Sequence, residues 1–239
     1  MRIVCFAVLL VASTTVFGQN LTLPPNLLRI QQTAPGIHPA KPGNDVAGIF
    51  TIAMSSVAGA AENWSVQTHG SFAAMEEFDA NSAPPEDNSR TVIGFYRQWW
   101  SHRPEEAMQA LRKARYMQVT VFRVGLGSEQ DLAALLRARK ASMDSINLDR
   151  PDIVYQVLIG APAGTIYVFT PLSSLKTLDE GVSRSAAAYL RSTGSPSPRT
   201  ATVQGDISQE NLLFRVNPHH SFVPADYVEI DPAFWRPRQ

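Results

Sequence analysis

The chain has 239 residues, a single cysteine, and 21 basic side chains balanced by 21 acidic ones. Near-neutral charge with no basic run excludes nucleic acid as the main partner. One cysteine excludes a disulfide framework and a cysteine-ligated metal, while the length suffices for a core that needs no staples.

In chain order, residues 1–18 come first. Arg2 precedes an apolar run from Ile3 to Ala12, and Gly18 supplies a small residue at which a signal peptidase could cut. The run is shorter than the about 20 apolar residues that span a bilayer, so it reads as a signal peptide rather than an anchor or a buried strand. Removing it leaves 221 residues with 20 basic groups against 21 acidic, and takes away Cys5. The mature chain is expected to be periplasmic or secreted, with no membrane insertion after cleavage, because no later segment is long and apolar enough.

Leu28-Arg29-Ile30 opens the first structured stretch. Residues 45–59 fit two templates. Val46, Ile49, Phe50, Ala53, Met54 and Val57 have helical spacing, whereas comparison with the later chain puts Ile49–Met54 on a strand, with Gly59 at a turn and Asn63–Thr68 as the next strand. The strand reading is preferred, which leaves the first helix of this half abbreviated or missing. Asp79–Arg90, with Pro84-Pro85, reads as a mobile loop, and Ile93–Tyr96 as a strand. A helix over Pro104–Lys113, opened by proline and two glutamates, links to the second half.

Tyr116–Val124 is rich in β-branched and aromatic residues and reads as a strand. Ser128-Glu129-Gln130-Asp131 has the form of a capping box, and Leu132, Leu135, Leu136, Met143 and Ile146 fall on one helical face. Ile153–Ile159 and Thr165–Thr170 flank a Gly- and Pro-containing connection, so they form a hairpin. A helix over Ser174–Arg191, a loop over Thr193–Arg199 and a strand over Leu212–Val216 follow. From Pro232 the tail reads as irregular, docked by Phe234 and Trp235.

The strand–helix–strand–strand–helix–strand order from residue 116 echoes the earlier chain three times. Ile93–Tyr96 followed by Trp99-Trp100-Ser101 and Pro104 matches Leu213–Val216 followed by His219-His220-Ser221 and Pro224. Ser71–Glu77 matches Ser174–Glu180, and Leu28-Arg29-Ile30 through Gly36 matches Val119-Thr120-Val121 through Gly127. The expected fold class is α+β: two tandem ferredoxin-like βαββαβ halves forming an intramolecular dimeric α/β barrel, the first half abbreviated. The domains are residues 24–114 and 115–226, followed by a tail over 227–239.

Two such halves in one chain resemble the dimeric α/β-barrel superfamily, which includes antibiotic-biosynthesis-monooxygenase-like proteins. Tyr155-Gln156-Val157 through Gly160–Thr165, Arg115–Val119 and Asp231–Trp235 resemble exported bacterial proteins of unknown function. The resemblance implies a barrel and a cavity between each sheet and its helices. It supplies no reaction and no catalytic residue.

The candidate ligand-binding residues are Tyr96, Trp99, Trp100, His102, Arg215, His219 and His220. Trp99-Trp100 would offer a flat wall to a planar ligand, or seal the joint between the halves. No histidine pair has the spacing of a zinc motif, so no metal is expected. A haem held by His102, His219 or His220 is the cofactor alternative that the resemblance implies; otherwise no cofactor is expected. There is no Gly-x-Ser-x-Gly and no evident serine–histidine–carboxylate set. Three functions follow: a binding protein for a small apolar or planar ligand, a cofactor-independent or haem-dependent oxygenase, or a non-catalytic interaction protein. The chain is expected as a monomeric pseudo-dimer or a homodimer, and the half from residue 116 is the better place for a site.

Overall fold

The computed structural model describes residues 23–37, 49–81, 89–125, 127–193 and 207–236. The predicted signal peptide therefore lies outside the described residues, as does most of the segment that would carry the first helix of the N-terminal half. Eight strands close a barrel: β1 (Leu27–Thr33), β2 (Thr51–Ala58), β3 (Asn63–His69), β4 (Arg90–Tyr96), β5 (Tyr116–Val124), β6 (Ile153–Ile159), β7 (Thr165–Leu172) and β8 (Ile207–Phe222). Helices α1 (Phe72–Ala80), α2 (Pro104–Leu111), α3 (Glu129–Ser145), α4 (Lys176–Thr193), α5 (Ala225–Ile230) and α6 (Pro232–Trp235) complete the fold, which is α+β.

Around the barrel the order is β1-β3-β2-β8-β5-β7-β6-β4, and every pairing is antiparallel. The first four strands are adjacent in the order β4-β1-β3-β2, the last four in the order β8-β5-β7-β6. Two seams, β2 with β8 and β4 with β6, join the sets. Each seam slips register at a matching place, between Ser56 and Ala58 in one and between Ile93 and Gly94 in the other.

The hairpin turns at the seams need glycine. Gly59 (φ +104°) abuts Leu212, and Gly160 (φ +90°) abuts the Thr91 backbone, so a Cβ at Gly160 would fall 2.0 Å from the Thr91 carbonyl oxygen. Only glycine combines positive φ with such close approach at low cost. Thr51–Ala58 is thus a strand, as preferred from sequence, and Gly59 stands where Gly160 does.

Alternation along the strands decides which side chains face inward. Leu28 and Ile30, Ile52 and Met54, Trp64, Val92, Val119 and Val121, Tyr155, Phe169 and Phe214 belong to one buried cluster drawn from all eight strands, which makes it the barrel interior. Trp64 sits at its heart, its ring 4.7 Å from Phe214 and 5.5 Å from Tyr167. Ala107, Met108 and Leu111 of α2 join the same cluster with Tyr227 and Trp235, closing one mouth. Arg112 pairs with Asp226 across these helices, and the Trp235 indole donates to the Arg112 carbonyl at 2.8 Å. The opposite face of β5, β6 and β7 forms a second cluster in which Phe122, Val154, Ile166 and Val168 meet Leu132 and Leu136 of α3.

Several boundaries differ from expectation. The tail is helical, in α5 and α6, because Pro232 starts a turn that carries Trp235 into the core. Ser128 makes no side-chain capping bond, so the capping-box pattern goes unused, while Ser71 does cap α1 by accepting from the Ala74 amide at 3.1 Å. Asp79 is not in a loop but on α1, where it reaches Arg29. The strand registers equate Arg29 with Gln118, two residues before the match suggested by the third echo.

Candidate functional site

The seven residues singled out from sequence do not converge on one site. Tyr96 ends β4 with its ring 5.8 Å from Tyr155 and packs against the interior. After it, a 3-10 turn over Gln98–Trp100 throws Trp99 outward, 84% exposed, and leans Trp100 on the cluster beneath α3. Arg97 lies 5.4 Å above the Trp100 ring and donates from Nε to Gln156 Oε1 at 2.7 Å.

His102 is buried, yet it is a strut rather than a ligand. Its amide donates to Asp152 Oδ1 at 3.1 Å, and the Asp152 amide donates back to the His102 carbonyl at 2.8 Å. Its Nε2 accepts from Arg103 Nε at 3.1 Å, with Asp144 Oδ1 at 3.6 Å. Burial lowers its pKa and Arg103 adds to this, against the pull of Asp152. A neutral ring that accepts at Nε2 keeps its proton on Nδ1. Among the described residues no group of three or more His, Cys, Asp or Glu could hold a metal ion.

Arg215 and His219 do meet, in an open cleft of about 460 Å³ with Tyr116, Arg115 and Phe234. Both side chains are exposed there, and Arg215 lies 5.9 Å from the Tyr116 ring. His220, next to His219 on β8, is half-buried.

The barrel interior offers almost no room. Its void, lined by Leu28, Phe50, Met54, Val66, Met108 and Phe169 among others, measures about 50 Å³ and is almost wholly apolar. Pockets that hold small organic ligands run to about 300–1,000 Å³. The interior is filled by the protein's own side chains.

A second pocket of suitable size, as open as the Arg215 cleft, lies outside the barrel between β5, β8 and α3. It measures about 330 Å³ and is lined by Gln118, Thr120, Gln209 and Asn211 from the sheet, Arg139, Ser142, Met143 and Ile146 from the helix side, and Leu148 and Arg150 from the connection to β6. The sheet residues alternate with Met117, Val119 and Val121, which face inward, so the pocket floor is the polar side of an amphipathic strand. Thr120 Oγ1 donates to Asn211 Oδ1 at 2.9 Å, and the Arg150 guanidinium donates to Gln118 Oε1. Arg139 is paired with the fully buried Asp152. Among the described residues Arg150 has no salt-bridge partner; burial lowers its pKa, Arg139 adds to the effect, and Asp152 opposes it.

The equivalent outer face of the N-terminal strands is also polar and more deeply buried. Thr51, Gln67 and Arg29 stand side by side across β2, β3 and β1, with His69 two positions along β3. Arg29 pairs with Asp79 of α1. His69 is 1% exposed, its ring edge-on to Phe78 at 5.6 Å, and neither ring nitrogen has a hydrogen-bond partner. Gln67 Oε1 and Thr51 Oγ1 are likewise buried and unpartnered.

Neither outer-face group was singled out from sequence. The usable signal was alternation: Asn63, Ser65, Gln67 and His69, like Gln118 and Thr120, place polar groups on a strand face that a helix covers.

No protein-family model and no curated protein matches the chain. Among solved structures it is similar to an anthrone oxidase-like protein, at 12% identity over 82% of this chain and 93% of that one, with a TM-score of 0.46. It is also similar to a proposed monooxygenase from Lactobacillus acidophilus (7% identity, 80% and 94% covered, TM-score 0.44) and to another from Fusobacterium nucleatum (10%, 81% and 93%, 0.42). Likenesses this distant assign no activity. No helix among the described residues is long and apolar enough to cross a membrane.

Proposed function

We propose that this is an exported small-molecule-binding protein whose ligand sits between the sheet and α3, not inside the barrel. One observation carries the reading: the pocket over β5 and β8 joins ligand-sized volume to polar walls, whereas the larger cleft beside Arg215 is mostly apolar-walled and the interior void is only about 50 Å³. The ligand is polar, unlike the apolar or planar one expected from sequence, because Gln118, Thr120, Asn211 and Arg150 form the wall. Residues 1–18 support export on their sequence pattern.

The architecture belongs to the same reading: two ferredoxin-like units in tandem. The two strand orders, the matched seams and the paired turn glycines all support it.

An oxygenase without a cofactor would need a group that takes a proton from its substrate. Around this pocket Asp152 is committed to Arg139 and His102, and among the described residues Ser142 and Thr120 have no base beside them. Binding without chemistry is the reading that suits this wall.

The test is native mass spectrometry of the protein purified from its host's export compartment, beside a Ser142→Trp variant that fills the pocket. The reading expects an added mass that leaves on denaturation, absent from the variant, on a chain beginning near residue 19. A bare wild-type protein, or an added mass that S142W retains, would sink it.

A further inference from the structure

The two outer faces solve the same electrostatic problem differently. At one strand position, Arg29 on β1 and Gln118 on β5, a guanidinium is present in each sheet. On the N-terminal sheet it is Arg29 itself, and α1 supplies Asp79 to neutralise it. On the C-terminal sheet it is Arg150, which reaches in from the loop before β6 and donates to Gln118. The residue eight beyond the serine that opens each helix is Asp79 after Ser71, but Val182 after Ser174. α4 thus offers no carboxylate there: its backbone at Gly181 passes close to Arg150, and Val182 is 71% exposed.

The local charges do not balance. Arg139 takes Asp152, Asp149 pairs with Arg103, and Asp144 lies beside His102, which among the described residues leaves Arg150 without an anion of its own. A guanidinium withdrawn from water is stable only where an anion or several acceptors meet it, and here one amide oxygen does so inside an open cavity of about 330 Å³. Resting on the reading of this pocket as the ligand site, we propose that the ligand is a small organic monoanion whose carboxylate pairs with Arg150, as Asp79 pairs with Arg29 in the other sheet. A single surplus positive charge suits a carboxylate better than a phosphate dianion. The planar fork of arginine also matches carboxylate geometry. Gln118, Thr120 and Asn211 then meet the ligand's remaining polar groups.

The experiment titrates the intact protein with benzoate and hexanoate, with benzamide and hexanamide as uncharged counterparts, and with inorganic phosphate. Backbone NMR resonances of Thr120, Ser142 and Asn211 are followed. The carboxylates are expected to shift these resonances saturably, with the amides at least about tenfold weaker, as the loss of a charge-assisted pair predicts. Arg150→Gln should erase that difference while Arg150→Lys keeps part of it. Gly181→Asp, whose Cβ would stand about 3.2 Å from the Arg150 guanidinium, should install the missing internal carboxylate and weaken carboxylate binding with the fold intact, a test that holds even where R150Q fails to fold. Equal shifts from acids and amides would overturn the charge assignment and leave the pocket reading standing. Tighter binding of phosphate would overturn the carboxylate. No shift from any probe, together with no retained mass in the native spectrum, would remove the pocket reading and this proposal with it.

Discussion

Ser101 and Ser221 make the same pair of hydrogen bonds at opposite seams of the barrel. Ser101 Oγ donates to the Arg97 carbonyl at 2.9 Å and accepts from the Val154 amide of β6 at 2.9 Å. Ser221 Oγ donates to the Asn217 carbonyl at 2.6 Å and accepts from the Ala53 amide of β2 at 3.0 Å. Each hydroxyl bonds back over four residues, after β4 in one case and at the end of β8 in the other, and pins the chain to the neighbouring strand set. The serines that the sequence echo pairs thus make matching bonds.

Removing either hydroxyl leaves a buried strand amide without its acceptor. Ser101→Ala and Ser221→Ala should each destabilise the protein by about 1–3 kcal/mol. The sites share no partner, so the double variant should lose close to the sum. Urea denaturation of the three variants checks this. A double variant no worse than one single variant would mean that the seams open together rather than independently.

The turn glycines make a sharper comparison, because the same substitution meets different neighbours. Alanine at either residue must hold a positive φ, which costs about 1–3 kcal/mol. At Gly59 the new Cβ meets the Leu212 Cδ2 atom at 2.4 Å, the end of a side chain that can rotate away. At Gly160 it meets the Thr91 carbonyl at 2.0 Å, which is backbone inside a seam. Gly160→Ala is expected to cost roughly 1–2 kcal/mol more than Gly59→Ala. Thermal melts of both variants read the difference, and equal losses would show that the β4–β6 seam yields as easily as a leucine side chain.

What the sequence revealed was the material of local periodicity. Tyr116–Val124 is rich in β-branched and aromatic residues, and Leu132 and Leu136 sit one helical turn apart, so β5 and α3 were legible. The site was not, because its members meet only through tertiary structure. Arg150 lies in an irregular connection 32 residues from Gln118, and Arg29 lies 50 residues from Asp79. Asp79 also precedes a run of small polar residues that mimics a loop, while the structure keeps it on α1. His102 drew notice as a haem ligand through the resemblance; its bond to Asp152 was not legible, because the neighbouring Arg103 adopts a left-handed conformation (φ +48°) that no local pattern announces.

The interior void gives a test of packing. Val66 lines it and is only partly buried, so a longer side chain can extend into the space. Val66→Ile adds one methylene to a dry apolar hole of about 50 Å³ and should stabilise by about 0.8 kcal/mol. For a chain of this size that raises Tm by roughly 2–3 °C, measurable by calorimetry. A lowered Tm would mean that the void cannot accept an atom without strain in α2 or Phe50.

His69 predicts how stability depends on pH. Burial lowers its pKa from 6.5 to about 4, the nearby Arg29 charge adds to this, and Asp79 partly opposes it. The folded protein therefore refuses a proton that the unfolded chain accepts once pH falls below about 6.5. The unfolded state binds more protons between about 6.5 and 4, so stability declines as pH falls through that window and the loss from this group levels off below it. A pKa lowered to about 4 corresponds to roughly 3 kcal/mol. His69→Phe keeps a ring against Phe78 and removes two unpartnered nitrogens, so at pH 7 it should be nearly neutral or mildly stabilising. Its stability should also fall by about 3 kcal/mol less than that of the wild type between pH 7 and pH 4. Urea denaturation at half-unit pH steps for the two proteins gives the comparison. Parallel curves would show that His69 takes up its proton as readily folded as unfolded, and that water reaches the polar face behind α1.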